Sequence, residues 1–148
     1  MQMTDRGLLA LVRHGGIVPG PYRDVKQVWT FGIGHTGAAG APDPDTMPRG
    51  VPADLDAGIR EAFGVFRSDL ARYEADVLRA VKVPLMPHEF DALVSFHYNT
   101  GGIAKVALTR HLNAGDRAAA AAAFIGWLKP VAIRRRREAE RDLFATGR

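Results

Sequence analysis

Residues 13–36 read RHGGIVPGPYRDVKQVWTFGIGHT, and the stretch changes character along its length. A Gly-Gly pair stands near its start, and aromatic and β-branched residues fill its second half. This order predicts that a helix ends at Gly15-Gly16 and that a short strand follows at 28–33, interrupted by Gly32 and Gly34. We therefore expect a small antiparallel sheet directly after the first helix.

The helix before this stretch has a start signal and an apolar face. Thr4 can cap its N-terminus, and Leu8 and Leu11 recur at helical spacing. The next position on that face is Gly15. Because Gly16 alone would suffice to stop the helix, Gly15 is not needed for that purpose.

Two proline-rich segments flank the expected strand. Pro19, Gly20 and Pro21 indicate a turn before it. Residues 37–53 contain four prolines and three glycines, which predicts a loop without regular structure that could act as a flexible flap.

From residue 54 onward the pattern is helical. Asp54 or Asp56 can cap a long helix, and Pro84 and Pro87 punctuate the chain after it. Seven side chains are expected to face inward from this helix: Ile59, Phe63, Phe66, Leu70, Tyr73, Val77 and Leu78.

A second helix is predicted next, broken by the run 99–102. One face of it carries Phe90, Leu93, Val94 and Tyr98. Further helices are expected at 103–112, 116–127 and 131–144. The predicted fold class is α+β, with a small N-terminal sheet and then a helical lobe.

Composition limits the function classes. The chain has 148 residues with 47% hydrophobic content, which is enough for the core of one domain. No cysteine is present, so disulfides and thiolate metal sites are excluded. The net charge of +4 favours a polyanionic partner, which could be cell wall, nucleic acid or an acidic membrane surface. No apolar run is long enough to span a membrane.

No cofactor is expected from the sequence. The five histidines show no ligand spacing such as HxxxH, so neither a metal nor an organic cofactor is indicated. Among the aromatic residues, Trp127 is expected in the core, whereas the position of Tyr22 stays open.

The spacing of Tyr22, Asp24, Thr30 and His35 resembles the active-site segment of the phage-type lysozymes, glycoside hydrolase family 24. The match is Tyr-x-Asp, five residues, and then Thr-x-Gly-x-Gly-His-Thr. Three later segments resemble the same family: ALVSFHYNTGG, LNAGDRAAAAAAFIGW and RRRREAERDLF. The resemblance implies a single lysozyme-like domain over 1–148, with a sheet lobe at about 17–53, a helical lobe at about 54–148 that includes the first helix, and a cleft between the lobes.

The resemblance also implies site residues. In the family a Glu that acts as general acid closes the first helix, and Gly15 stands at that position here. By the same resemblance Asp24 is the second carboxylate, Thr30 helps to hold the attacking water, and Tyr22 and His35 serve substrate binding, His35 by organising the active-site network. The three catalytic positions are therefore Gly15, Asp24 and Thr30.

The family hydrolyses the peptidoglycan glycan between N-acetylmuramic acid and N-acetylglucosamine. Because glycine cannot donate a proton, the resemblance implies that this copy is inactive or strongly impaired. His14 does not replace the acid, since neighbouring helical residues point about 100° apart. Glu138 and Glu140 are expected to pair with nearby arginines.

Two other functions stay open. The chain could bind peptidoglycan without cutting it, because the basic surface remains. Nucleic-acid binding would rest on Arg134–Arg137, but four consecutive arginines spread around a helix and form no single stripe. We expect a monomer whose partner is bacterial peptidoglycan, with no nucleic acid and no stable membrane insertion.

The family's setting is a phage or prophage lysis cassette. Residues 8–12 are too short an apolar run for a secretory signal. We therefore expect synthesis in the host cytoplasm and action on the wall after holin-type release.

Overall fold

The computed structural model describes residues 1–126 and 133–148, and the predicted α+β class is confirmed. The elements follow in this order: α1 (Asp5–Gly15), β1 (Val18–Arg23), β2 (Trp29–Gly32), β3 (His35–Thr36), α2 (Leu55–Ala80), α3 (Pro87–Thr100), α4 (Ala107–Asn113), α5 (Arg117–Ala123) and α6 (Arg134–Thr146). The three strands form one antiparallel sheet in the order β1-β2-β3. Among the described helices, none is both long enough and apolar enough to cross a membrane.

The chain divides into two compact units. One is Val12–Ala71, and the other combines Met1–Leu11 with Arg72–Arg148. Within the first of these units the first part of α2 packs with the sheet: a Cβ on Gly32 would lie 3.1 Å from the Cβ of Ala62.

The N-terminus of α1 is capped as predicted, and α3 supports the cap. Thr4 accepts a hydrogen bond from the Gly7 amide through its Oγ1, at 3.1 Å. The Thr4 amide donates in turn to Oδ1 of Asp91, at 2.9 Å. A Cβ on Gly7 would lie 2.4 Å from Cγ of Asp91, so only glycine fits beside this carboxylate. The contact with Asp91 spans most of the chain, and no local pattern indicated it.

The prediction of a turn at Pro19, Gly20 and Pro21 was wrong, since all three lie inside β1. Proline lacks the amide that a sheet ladder needs, but β1 is an edge strand and its register is irregular between Val18 and Tyr22. A Cβ on Gly20 would lie 2.2 Å from the carbonyl oxygen of Gly50, so this strand approaches the following loop very closely.

The loop at 37–53 contains more structure than the sequence indicated. Two short 3-10 turns, Gly37–Ala39 and Pro44–Thr46, interrupt it. Arg49 ties its second half together by donating to the carbonyl oxygens of Pro44 at 3.0 Å and Asp45 at 2.8 Å. The prediction of a segment without regular structure was therefore wrong.

Helix α2 begins after Asp54, whose Oδ1 accepts from the Ala57 amide at 3.0 Å. Its buried residues include Ala62, Phe66, Leu70 and Val77. Two of the seven side chains predicted to face inward, Phe63 and Leu78, are exposed instead. Each follows a buried residue directly, and the next residue on a helix points about 100° away from that buried stripe.

Helix α3 forms the centre of the second unit. It begins at a proline and ends at Gly101, which adopts a left-handed conformation with φ 68°. Every residue from Glu89 to His97 is buried, so this helix is enclosed on all sides rather than on one face. The predicted helices at 103–112, 116–127 and 131–144 correspond to α4, α5 and α6, and Trp127, with its expected core position, lies outside the described residues.

Candidate active site

Gly15 is the last residue of α1 and is exposed. The next residue, Gly16, has φ 72°, the left-handed conformation that ends a helix. A Cβ added to Gly15 would have Ile33 Cγ2, at 4.0 Å, as its nearest neighbour. The helix stop is therefore the property of Gly16, as the sequence suggested, and position 15 has room for a side chain.

Asp24 holds the turn between β1 and β2. Its Oδ1 accepts hydrogen bonds from the amides of Lys26 at 2.8 Å and Val28 at 2.9 Å. This is an Asx-type turn, in which the side chain takes over the role of backbone. The described residues make no hydrogen bond to Oδ2 of Asp24, so the carboxylate is oriented through one oxygen and keeps the other for a further partner.

Thr30 lies in the centre of the sheet, opposite Tyr22 on β1 and Thr36 on β3. The residue is 3% exposed, and its hydroxyl donates to the Val28 carbonyl at 3.0 Å. Because a hydroxyl has a single hydrogen, Oγ1 of Thr30 can only accept from any further partner.

Tyr22 is half-buried on β1. Burial raises the pKa of its phenol, and the negative charge of Asp24 raises it further. The hydroxyl therefore stays neutral at physiological pH and can both donate and accept hydrogen bonds.

His35 is 1% exposed, and protein groups occupy both of its ring nitrogens. Nε2 lies 2.8 Å from the carbonyl oxygen of Pro42, and Nδ1 lies 2.6 Å from Oδ2 of Asp69. Because a carbonyl oxygen only accepts, Nε2 carries a hydrogen in this contact, and Nδ1 is bonded to the carboxylate of Asp69. These contacts join the loop to α2, and the assignment of His35 to substrate binding stays a prediction.

Sequence reasoning missed two residues of this region, Asp69 and Arg49. Asp69 is a buried carboxylate on the apolar stripe of α2, and a charged residue on an apolar stripe is the sequence signal that could have revealed it.

The guanidinium of Arg49 lies 3.5 Å from the ring centroid of Trp29, and that of Arg23 lies 5.0 Å from the same ring. Through cation–π attraction the Arg49 contact stacks the loop on β2, and the Arg23 contact adds to the pairing of β1 with β2.

The acidic residues of α6 pair with arginines, as the sequence indicated. Arg134 Nη1 lies 4.0 Å from Glu138, and Glu140 binds both Arg136 and Arg137. Within residues 1–126 and 133–148, no three His, Cys, Asp or Glu side chains are grouped closely enough to hold a metal ion.

Three kinds of comparison with known proteins agree. The family model described as phage lysozyme matches residues 12–140. The endolysin of Acyrthosiphon pisum secondary endosymbiont phage 1 is 30% identical, over 99% of this chain and 100% of its own length. The endolysin of Salmonella phage P22 is 32% identical, over 97% of this chain and 98% of its own length.

Solved structures are similar across the whole chain. A variant of P22 lysozyme superposes with a TM-score of 0.82 at 28% identity, covering 99% of each chain. An endolysin from Escherichia coli O157:H7 phage FAHEc1 gives a TM-score of 0.86 at 26% identity, covering 100% of this chain and 96% of its own. Because the matched sequence includes β1 to β3 and most of the helices, the chain belongs to the phage lysozyme family.

Proposed function

We propose that this protein is a lysozyme-type endolysin, directed at the glycan of peptidoglycan between N-acetylmuramic acid and N-acetylglucosamine. In this chain hydrolysis is absent or strongly impaired, because Gly15 stands where the family has its general acid. The names of the related endolysins support the substrate class. The muramidase domain of SpmX from Asticaccaulis excentricus supports it further, with a TM-score of 0.78 at 25% identity.

One observation carries the proposal: α1 ends at a residue with no side chain, and the space around it is open. A general acid contributes about 10²–10⁴-fold to a hydrolytic rate, and a sugar hydroxyl is a poor leaving group that depends on it heavily. The space beside Gly15 admits water, which is a far weaker acid than a carboxyl group.

Asp24 and Thr30 supply the other half of the proposed chemistry. In inverting glycosidases the second carboxylate stands about 6.5–9.5 Å from the acid and activates a water between them. Asp24 is fixed through Oδ1, and Oδ2 is the atom we assign to the water. The hydroxyl of Thr30, whose hydrogen is already donated to Val28, accepts a hydrogen from that water.

The second candidate is a protein that binds wall glycan without cutting it. The net charge of +4 favours adsorption to an anionic wall, and the loss of an acid leaves such binding intact. Nucleic-acid binding is the weaker alternative, since Arg136 and Arg137 donate to Glu140 inside the protein instead of facing a polyanion. We further propose that the chain acts as a monomer and reaches the wall by holin-type release.

The test compares lysis of purified peptidoglycan by the unmodified chain, Gly15→Glu and Gly15→Gln at equal concentration. We expect new reducing ends from Gly15→Glu alone, with Gly15→Gln as the control of equal size that lacks the acid. Adding Asp24→Asn to Gly15→Glu should abolish the gain. Equal lysis by all three proteins would refute the assignment of the acid to position 15, and saturable binding without product in all three would favour the second candidate.

A further inference from the structure

A buried arginine on α6 contacts an exposed amide at the end of α3. Arg137 is 1% exposed, yet its Nη2 donates to Oδ1 of Asn99, which lies at the surface. Its Nη1 donates to Oε2 of Glu140, and its guanidinium lies 5.0 Å from the ring centroid of Phe96. The guanidinium is therefore fixed on several sides.

The partners of Arg137 are themselves held. Glu140 Oε1 accepts from Ser95 Oγ at 2.7 Å and from Arg136 Nε at 3.0 Å, and Arg136 Nη2 donates to the Ser95 carbonyl at 2.9 Å. Removing such charges from water is costly, so a buried ionic group of this kind is weak evidence for stability. A fully hydrogen-bonded network does fix geometry tightly, and Asn99 is the member of this network that reaches solvent.

The contact decides which way the Asn99 amide faces. A guanidinium has donors only, so the atom turned towards Arg137 must be the amide oxygen. The amide nitrogen Nδ2 then points away, and the described residues accept no hydrogen bond from it. Two N–H donors are thus held at the protein surface with no partner in the described part of the chain.

The residue before Asn99 in α3 is aromatic. Tyr98 is half-buried and packs edge-to-face on Tyr73, with ring centroids 5.0 Å apart, and its side chain points about 100° away from that of Asn99 around the helix axis. Ligand sites combine aromatic walls with a few fixed polar groups that provide orientation. A sugar that carries an N-acetyl group presents the matching features, a carbonyl oxygen that accepts and an apolar ring face.

We propose that Asn99 is a glycan-binding residue whose Nδ2 donates to the N-acetyl carbonyl of an amino sugar, and that Arg137 is its positioning residue. The inference rests on the proposed function, since it assigns one contact with that glycan. It adds a recognition element in the helical unit, on residues separate from Gly15, Asp24 and Thr30.

The test uses Asn99→Asp, which keeps an oxygen for Arg137 and removes both N–H donors. Binding of an N-acetylglucosamine tetramer to the full chain is measured by calorimetry, alongside the thermal unfolding midpoint. Loss of one hydrogen bond to a neutral acceptor corresponds to about tenfold weaker binding. We expect that loss with an unchanged or higher unfolding midpoint, because the partner of Arg137 becomes charged.

Two further variants separate recognition from folding. Asn113→Asp makes the same charge change at the only other asparagine of the chain and should bind like the unmodified protein. Asn99→Ala removes both the acceptor and the donors, so it should lose binding and stability together. If Asn99 had only a structural role, Asn99→Ala would bind the tetramer more weakly, whereas Asn99→Asp would bind it like the unmodified protein.

The outcomes distinguish failure of this inference from failure of the proposed function on which it rests. If the unmodified chain binds the tetramer and Asn99→Asp binds equally well, the assignment of Asn99 is overturned and the proposed function stands. If the unmodified chain binds neither the tetramer nor insoluble peptidoglycan, the proposed function fails and this inference fails with it. In the Gly15→Glu background, Asn99→Asp should raise KM about tenfold with kcat little changed.

Discussion

Asp69 Oδ2 and His35 Nδ1 lie 2.6 Å apart in a buried pair that joins α2 to β3. Removing the carboxylate leaves a buried ring nitrogen of His35 without its partner, which typically costs about 1–3 kcal/mol. We therefore expect Asp69→Ala to lower the free energy of unfolding by at least that amount, measured by urea denaturation. Asp56→Ala, on the exposed side of the same helix, is the control and should change it by less than about 1 kcal/mol; equal effects would contradict the prediction.

The two glycines at the end of α1 should respond oppositely to alanine. Gly15 has room for a Cβ, so Gly15→Ala should stabilise the protein by about 0.5–1 kcal/mol. Gly16 is in the left-handed region, so Gly16→Ala should destabilise it by about 1 kcal/mol or more. Thermal unfolding of both variants checks the pair. A destabilising Gly15→Ala would mean that residue 15 has a structural role of its own.

Tyr22 should report the charge of Asp24. Because that charge raises the pKa of Tyr22, Asp24→Asn should lower the pKa towards 10.0. The shift is partial, since burial is the larger cause and remains in the variant. Asparagine also keeps the oxygen that accepts from Lys26 and Val28, so the turn should survive. An NMR titration of the tyrosine ring carbons measures the change. An unaltered pKa of Tyr22 in the variant would show that Asp24 and Tyr22 do not interact.

Glu89 should make the protein sensitive to acid. Burial raises the pKa of Glu89, but hydrogen bonds from Arg117 and the Met86 amide outweigh burial and lower it below 4.5. The carboxyl of Glu89 therefore binds a proton more readily in the unfolded chain than in the folded protein. Its contribution to the free energy of unfolding is complete above the ordinary pKa of a glutamate and is lost as the pH falls through the lowered pKa of the folded protein.

Glu89→Gln tests this dependence. The variant should be less stable than the unmodified protein at pH 7, by about 1–3 kcal/mol, and the difference should shrink below about pH 4. Urea denaturation at pH 7, 5 and 3 measures it. Glu138→Gln, which removes a carboxylate 4.0 Å from Arg134 at the surface, should show little dependence on pH.

Local signals in the sequence were sufficient for much of the fold. Thr4 and Asp54 cap the helices that they were predicted to cap, and Gly16 ends α1, because each effect involves only neighbours along the chain. The strand β2 was likewise visible in its aromatic and β-branched residues. The family resemblance added the proposed site positions, which composition and spacing alone would have left as turn and strand residues.

What sequence reasoning missed depends on contacts between distant residues. Pro19 and Pro21 form a strand because β1 is an edge, and edge position is a property of the assembled sheet. Asp91 supports α1 and Asp69 holds His35 across long sequence separations. Phe63 satisfied the helical spacing but lies beside the buried stripe of α2 instead of within it.

The left-handed Gly16 has a consequence for how this family can be classified. Under the proposed assignment, ending the helix and donating a proton fall on adjacent residues, so a substitution at residue 15 leaves the helix stop at Gly16 in place. Two members of the family could then share this helix end and differ in whether they carry the acid. A survey of such chains for hydrolytic members would have to compare the residue at that one position.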